Sequence, residues 1–136
     1  MPFVLDTSVT LAWYFEDETS EYSADVLRRL RSDSALVPSL WPIEVANGLL
    51  SAERRGRITP TEIARAVAQT LELPIAVHDV SPSLALGRVS DLSREHRLTV
   101  YDAAYLELAM REALPLATLD DDLLAAAQRV GLPELA

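Results

Sequence analysis

Four acidic residues of this chain stand where apolar segments give way to helices. Asp6 and Asp120 each follow a short apolar run. Glu44 and Asp102 fall in the first turns of predicted helices. A single acid at such a position is explained by the helix macrodipole and the free N–H groups of the first turn. Four of them together would repel each other, because two carboxylates about 4 Å apart interact by about 4 kcal/mol at an effective dielectric constant near 20. Their gathering at one site therefore predicts bound cations or protons.

The donors that the sequence offers favour a hard divalent cation. The chain contains no cysteine, and His78 and His96 are distant from the acids in sequence. A site built from oxygen ligands alone favours Mg²⁺ or Mn²⁺ over Zn²⁺. The sequence thus predicts a magnesium or manganese site.

Hydrolysis of a phosphodiester is the reaction that such a site can catalyse. One or two divalent ions held by carboxylates can activate a water molecule and relieve the charge of the transition state. We expect Asp6, Asp102 and Asp120 to hold an ion, directly or through water. Glu44 would bind a second ion or orient the attacking water, and both the one-ion and the two-ion mechanism remain open.

The elements that must position these acids alternate between short apolar strands and amphipathic helices. The predicted strands are Phe3–Leu5, Ala35–Pro38, Ile75–Val77 and Leu114–Leu119. This alternation is typical of an α/β domain with a mostly parallel sheet between helical layers. Ligands gather at the carboxyl ends of the strands in such sheets, so the four acids are expected to point towards one edge.

Several helices have clear start signals. Residues 59–62 (Thr-Pro-Thr-Glu) match a capping box with proline at the first helical position, which predicts a helix from about Pro60 to Leu73. Ser81 and Thr99 are predicted to cap two further helices, the second of which carries Asp102. Proline interrupts the short segment 131–136, which puts a final edge strand in doubt.

Composition and charge narrow the class of protein. A chain of 136 residues that is 49% hydrophobic and 24% charged is typical of one globular domain, here residues 1–136. The net charge of −9 argues against a protein that coats nucleic acid, because such binding depends on neutralising phosphates. No window reaches the roughly 18 apolar residues of a membrane span, and no basic segment precedes an apolar stretch at the N-terminus. We therefore expect a cytoplasmic protein that has no membrane partner.

Four segments together resemble the signature segments of PIN-domain ribonucleases, and most closely those of the VapC-type toxins of bacterial toxin–antitoxin pairs. These segments are Val4–Val9, Pro42–Asn47, Thr99–Tyr105 and Ala117–Asp120. The resemblance spans nearly the whole chain, with the segments in the family order. It implies a three-layer α/β/α PIN-like fold and a metal-dependent endoribonuclease that acts on RNA. It also implies a homodimer and an antitoxin whose arm occupies the site.

The resemblance extends to individual residues. Asp6, Glu44, Asp102 and Asp120 match the acidic quartet of the family, and Asp122 falls where some members place a further acid that binds metal. Small polar residues beside the acids match as well: Thr7, Ser8, Asn47 and Thr118.

An acidic protein needs local positive charge to accept RNA. Each bound ion adds a charge of +2, and arginines at the rim would supply the rest. All the basic residues of the chain are arginines. The candidates follow the Glu44 helix or precede the Asp102 helix: Arg54, Arg55, Arg57, Arg94 and Arg97.

Two other classes of protein also place carboxylates at strand ends or on a surface. A Mg²⁺-dependent phosphotransfer or phosphatase domain, of the receiver or haloacid-dehalogenase kind, needs a nucleophilic aspartate and a positioned lysine. This chain has no lysine, and Asp6 lacks the second aspartate two residues later that the dehalogenase motif needs. A non-catalytic acidic module that binds a basic protein partner would be indicated if the acids failed to bind metal.

Overall fold

The computed structural model describes residues 1–135 and contains one four-stranded parallel sheet. The strands are β1 (Phe3–Leu5), β2 (Ala35–Pro38), β3 (Ile75–His78) and β4 (Leu116–Ala117). Their order across the sheet is β3-β2-β1-β4, and every neighbouring pair is parallel. β1 lies between β2 and β4 and is completely buried, as its uninterrupted apolar sequence predicts.

The strand β4 is shorter than the predicted Leu114–Leu119. The backbone N–H of Leu114 donates to Ala109 O at 2.9 Å, so this residue still belongs to the end of the preceding helix. Beyond Ala117 the chain leaves the sheet, and the hydroxyl of Thr118 turns towards Asp6. Only Leu116 and Ala117 therefore pair with β1 as a strand.

The helices lie between and after the strands. They are α1 (Thr7–Ala12), α2 (Glu21–Arg29), α3 (Trp41–Arg54), α4 (Pro60–Leu71), α5 (Pro82–Leu84), α6 (Ser90–His96), α7 (Val100–Glu112) and α8 (Asp121–Arg129). One π-helical turn, Ala85–Val89, joins α5 to α6. Connections between parallel strands of one sheet are right-handed crossovers. The helices that connect β1 to β2 and β2 to β3 therefore lie on one face of the sheet, and the helices between β3 and β4 lie on the other. The three-layer α/β/α fold predicted from the sequence is confirmed.

The predicted capping signals are confirmed by hydrogen bonds. The Thr59 hydroxyl accepts from the N–H of Glu62, and the Glu62 carboxylate accepts from the N–H of Thr59, which is a complete capping box. Ser81 and Thr99 cap α5 and α7 through their side chains. The helix α4 ends at Leu71, two residues earlier than predicted, because the residue before a proline is disfavoured in helical conformation.

The helix α7 lies at the centre of the core, and it packs against β1, β2 and β4. All of its residues from Ala103 to Ala109 are buried. The helices α1 and α3 also approach closely, since a Cβ atom at Gly48 would lie 2.5 Å from Leu11 Cδ1. These contacts fix α1, α3 and α7 relative to each other, and those three helices carry side chains of the site described below.

The strand order reverses direction between β1 and β4. The chain moves outwards from β1 through β2 to β3, and then crosses back to place β4 on the other side of β1. Such a switch point opens a crevice at the carboxyl ends of the two strands. Residues 131–135 form no strand, and no helix among residues 1–135 combines the length and apolar character that crossing a bilayer requires.

Candidate active site

Asp6 follows β1 at the switch point and is only 4% exposed. It occupies the N-cap position of α1, but its side chain does not cap that helix. Its Oδ2 instead accepts hydrogen bonds from Ser8 Oγ at 2.6 Å and Thr118 Oγ1 at 2.8 Å. Burial raises the pKa of Asp6, the charge of Asp120 raises it further, and these hydrogen bonds oppose the change. The helix-capping explanation therefore fails for Asp6.

The same two hydroxyls connect Asp6 to the segment after β4. Ser8 Oγ accepts from the backbone N–H of Leu119 at 3.0 Å, and Thr118 Oγ1 accepts from the N–H of Asp120 at 3.0 Å. Each hydroxyl thus donates to the Asp6 carboxylate and accepts from the chain that leads into α8. Ser8 and Thr118 hold the ends of β1 and β4 together and orient Asp6.

Glu44 lies in the first turn of α3 and is held by two hydroxyl groups. Its Oε1 accepts from Tyr105 Oη at 2.6 Å and from Thr7 Oγ1 at 3.0 Å. Thr7 Oγ1 and Tyr105 Oη lie 2.7 Å apart. Burial raises the pKa of Glu44, and the two donors partly offset this rise. The contacts join α1, α3 and α7 around one carboxylate.

Asp102 and Asp120 complete the cluster. Asp102 lies in the first turn of α7, and its pKa is raised to about 6 by burial and by the charges of Asp6, Asp120 and Glu44. Asp120 is the N-cap of α8, and its Oδ1 accepts from the N–H of Leu123 at 2.8 Å. Oδ1 of Asp120 therefore caps the N-terminus of α8, as expected for a single acid at a helix start. Hydrogen bonds through Thr7 and Thr118 link the segments that carry Asp6, Glu44 and Asp120, and the raised pKa of Asp102 indicates that its carboxylate lies near them.

The chemistry of these donors fits a hard divalent cation. Carboxylates that repel each other and resist ionisation are stabilised by positive charge between them. Among residues 1–135, no three acidic or histidine side chains come close enough to form a metal-binding group by themselves. Mg²⁺ keeps several waters and is commonly bound by one or two carboxylates together with substrate phosphates, so its binding does not require three protein ligands in one group.

Two other predicted site residues lie outside this hydrogen-bonded cluster. Asn47 is exposed one turn after Glu44, and no hydrogen bond within residues 1–135 involves its side chain. Asp122 is exposed and lines a hollow with residues that include Arg97 and Arg129. Its position two residues after Asp120 turns it away from that acid, since residues two apart on a helix do not face each other. The role of Asp122 as a metal ligand stays a prediction.

The guanidinium of Arg57 makes other contacts, and its interpretation as an RNA contact stays a prediction. It donates to Asp17 at 3.1 Å and to Glu18 at 3.2 Å, and it lies over the ring of Phe15 at 4.6 Å. Arg94 lies 3.4 Å from Asp91 in an exposed pair. Within residues 1–135, no ion pair involves the other three candidates, Arg54, Arg55 and Arg97.

Tyr105 belongs to the site but was not predicted as a site residue. Tyr105 comes three residues after Asp102 on α7, so the two side chains lie on neighbouring parts of one helix face. This spacing is the sequence pattern that indicates Tyr105 as a site residue. The ring is fully buried, as the packing pattern of α7 indicates. Its hydroxyl is nevertheless a donor to Glu44.

Replacing Tyr105 with phenylalanine is expected to lower activity about 10- to 100-fold, the usual effect of removing a hydrogen bond that orients a functional group. The substitution keeps the buried ring and removes one of two donors to Glu44. The measurement is kcat for RNA cleavage, with circular dichroism to confirm folding. Tyr101→Phe on the same helix is the control, because Tyr101 is 61% exposed and should tolerate loss of its hydroxyl. Equal activity of the two variants would show that the Tyr105 hydroxyl does not position Glu44.

Comparison with known proteins agrees with this architecture. The family model described as PIN domain matches residues 3–129. Ribonuclease VapC3 of Pyrobaculum aerophilum is 32% identical over 123 residues, which cover 90% of this chain and 92% of that relative.

Two solved structures share the fold. The protein PAE2754 of Pyrobaculum aerophilum has a TM-score of 0.72 and 24% identity, with 93% of this chain and 84% of that chain covered. VapC20 of Mycobacterium tuberculosis, described as a sarcin–ricin loop cleaving toxin, has a TM-score of 0.66 and 18% identity, with coverages of 99% and 98%. With its parallel sheet and its acids at the switch point, the chain belongs to the PIN domain family.

Proposed function

We propose that this chain is a metal-dependent endoribonuclease and the toxin of a toxin–antitoxin pair. The observation that carries the proposal is the hydrogen-bond network through Thr7, Tyr105 and Thr118, which joins the four separate parts of the chain that carry Asp6, Glu44, Asp102 and Asp120. A fold gains no stability from gathering like charges, so their shared position indicates a function that uses them. The relative named Ribonuclease VapC3, which aligns with 90% of this chain, supports RNA as the substrate.

The carboxylates have distinct proposed roles. Asp6, Asp102 and Asp120 would bind Mg²⁺ or Mn²⁺ directly or through water, and Asp122 would contribute from the first turn of α8. When bound, the ion supplies charge relief for the phosphodiester and lowers the pKa of a water molecule. Ser8 and Thr118 orient Asp6, and Asn47 provides an exposed polar contact for substrate.

Glu44 is the best placed residue to orient the attacking water. Its Oε1 is occupied by Tyr105 and Thr7, and within residues 1–135 no hydrogen bond involves its Oε2. Burial raises the pKa of Glu44 above its ordinary value. A carboxylate with a raised pKa accepts a proton more readily, which suits a group that polarises water.

The proposed partners follow from family membership. They are an RNA substrate, a cognate antitoxin and a second copy of the chain in a homodimer, all in the cytoplasm. The phosphotransfer alternative is disfavoured by the chain's lack of lysine and by the burial of Asp6, whose Oδ2 accepts two hydrogen bonds.

The test is cleavage of a mixed RNA pool by the purified protein with Mg²⁺, with Mn²⁺ or with EDTA. We expect new RNA ends with either metal and none with EDTA. If no cleavage is found with either ion, calorimetric titration with Mn²⁺ separates the remaining possibilities. Binding of Mn²⁺ would indicate a substrate absent from the pool, whereas no binding would support the non-catalytic module.

A further inference from the structure

A hollow with a volume of about 450 Å³ lies beside α8, and volumes of this order are common in ligand-binding sites. Half-buried His96 and Ala125 form its floor, and four exposed charged side chains line it. These side chains are Glu95, Arg97, Asp122 and Arg129. The two arginines carry planar forks of N–H donors, which match the oxygens of phosphate and carboxylate groups.

The helix α8 forms one wall of the hollow. Asp122, Ala125 and Arg129 follow each other at spacings of three and four residues, so they lie on one face of the helix. The seven residues from Asp122 to Arg129 span about 10 Å along the helix axis. Residues two apart on a helix do not face each other, so a group bound beside Asp122 is separate from a group bound by Asp120.

The turn between α6 and α7 forms the opposite wall. Arg97 ends α6 with φ 54° and ψ 43°, a left-handed conformation in which glycine is the usual residue. Ser93 holds this turn, since its Oγ donates to Leu98 O at 2.6 Å and its carbonyl accepts from the Leu98 N–H at 3.0 Å. The helices α7 and α8 pack against each other, which brings the turn to α8. A fixed backbone therefore presents Arg97, which lowers the entropy lost on binding.

The arginines of the hollow differ from several others in the chain. Arg57 and Arg94 pair with acids, whereas no ion pair within residues 1–135 involves Arg97 or Arg129, although two acids line the same hollow. The macrodipole of a helix favours a cation at its C-terminus, which explains either arginine alone but not their meeting. The charges of the hollow balance, so it repels an anion less than the rest of a chain with a net charge of −9 does.

We propose that Arg97 and Arg129 bind a phosphate group in this hollow, and that this group belongs to the RNA strand on one side of the cleaved bond. Each guanidinium fork can donate two parallel hydrogen bonds to phosphate oxygens, and an N–H of His96 can donate another. The assignment to an RNA strand rests on the proposed ribonuclease function, whereas the phosphate chemistry of the hollow does not. A free phosphate ion is the other source of the same chemistry.

The test is equilibrium binding of a fluorescent single-stranded oligouridylate, measured by anisotropy in EDTA at several KCl concentrations. We expect Arg97→Gln and Arg129→Gln each to bind about ten-fold more weakly than the wild type. The slope of the logarithm of the binding constant against that of the KCl concentration should decrease by about 0.7 in each variant, because one phosphate contact is lost. Arg97→Lys should keep the wild-type slope but lose affinity, because lysine keeps the charge and not the fork.

Arg65→Gln is the matched control. Arg65 is exposed on α4, and no ion pair within residues 1–135 involves it. Its replacement changes the net charge by the same amount and should reproduce the affinity and the slope of the wild type. Circular dichroism confirms that all variants are folded. If Arg97→Gln and Arg129→Gln bind the oligouridylate as Arg65→Gln does, the assignment to an RNA strand is overturned.

Inorganic phosphate is the second probe, and its binding is measured as a rise in Tm. If phosphate stabilises the wild type but not Arg97→Gln, while both bind oligouridylate equally, the ligand is a free phosphate ion and the link to RNA is overturned. If neither probe distinguishes the variants from the wild type, the hollow is not a phosphate site. Because EDTA excludes metal-dependent cleavage, the two proposals can fail separately. An inactive wild type whose oligouridylate binding still depends on both arginines would disprove the ribonuclease function and not the phosphate site.

Discussion

Replacing Asp102 with asparagine is expected to lower RNA cleavage by about 10³-fold, the usual effect of removing one group that stabilises transition-state charge. The substitution keeps the size and shape of the side chain and removes its negative charge. The pKa of Asp102 is raised to about 6 by burial and by three neighbouring acids, so the fold does not need this charge. We therefore expect a metal-free variant that is more stable than the wild type and nearly inactive.

Asp121→Asn is the matched control for this experiment. Asp121 is exposed in the first turn of α8, one residue after a member of the cluster, and it makes no hydrogen bond there. Its replacement removes the same charge and should leave cleavage within a few-fold of the wild type. Cleavage rates are measured with Mg²⁺, and unfolding is followed by circular dichroism in EDTA. Full activity of Asp102→Asn would exclude this residue from the reaction.

We expect the free energy of unfolding of the metal-free protein to rise as the pH is lowered from about 7 to about 5. The ordinary pKa of an aspartate is 3.8, and the pKa of Asp102 is raised to about 6 in the fold. Between these values the folded protein binds a proton that the unfolded chain does not bind. Stability is therefore greatest below the unfolded value and is lost as the pH rises through about 6. The raised pKa values of Asp6 and Glu44 act in the same direction.

Thermal unfolding in EDTA at several pH values measures this dependence. The Asp102→Asn variant should show a weaker dependence, because one of the three acids with a raised pKa is gone. Saturating Mg²⁺ at neutral pH should stabilise the wild type by about 2.7 kcal/mol when its concentration is one hundred times the Kd. A stability that falls on acidification in both proteins would contradict the assignment of repulsion to this cluster.

The positions of Asp6 and Asp120 follow from sequence because Asp6 directly follows β1 and Asp120 comes shortly after β4, and the ends of parallel strands share an edge. Helix caps such as Thr59 and Thr99 are predictable for a similar reason, since their partners lie three residues away. Interactions that span the chain are not predictable in this way. The pairing of Arg57 with Asp17 joins residues 40 apart, and no local pattern reports it.

Helix geometry explains two further outcomes in the site. Residues three apart face the same way, so Tyr105 could be inferred from Asp102 once α7 is recognised as a helix. Residues two apart do not, so the position of Asp122 beside the other acids could not be inferred from Asp120 in this way; Asp122 lines a hollow together with Arg97. The sequence predicts too great a length for β4 because apolar residues continue on both sides of it. Hydrogen bonds of Leu114 and Thr118 to other parts of the fold set its limits.

The hydroxyl bridge from Thr118 to Asp6 spans 112 positions of the chain. A protein chain is synthesised from its N-terminus, and domains fold as units once their segments are available. The carboxylate at position 6 therefore acquires the hydroxyl of Thr118 only after a further 112 residues have been made. A nascent chain that has not reached this residue lacks the assembled site, so a nuclease with this architecture is inert beside the messenger RNA during that part of its translation.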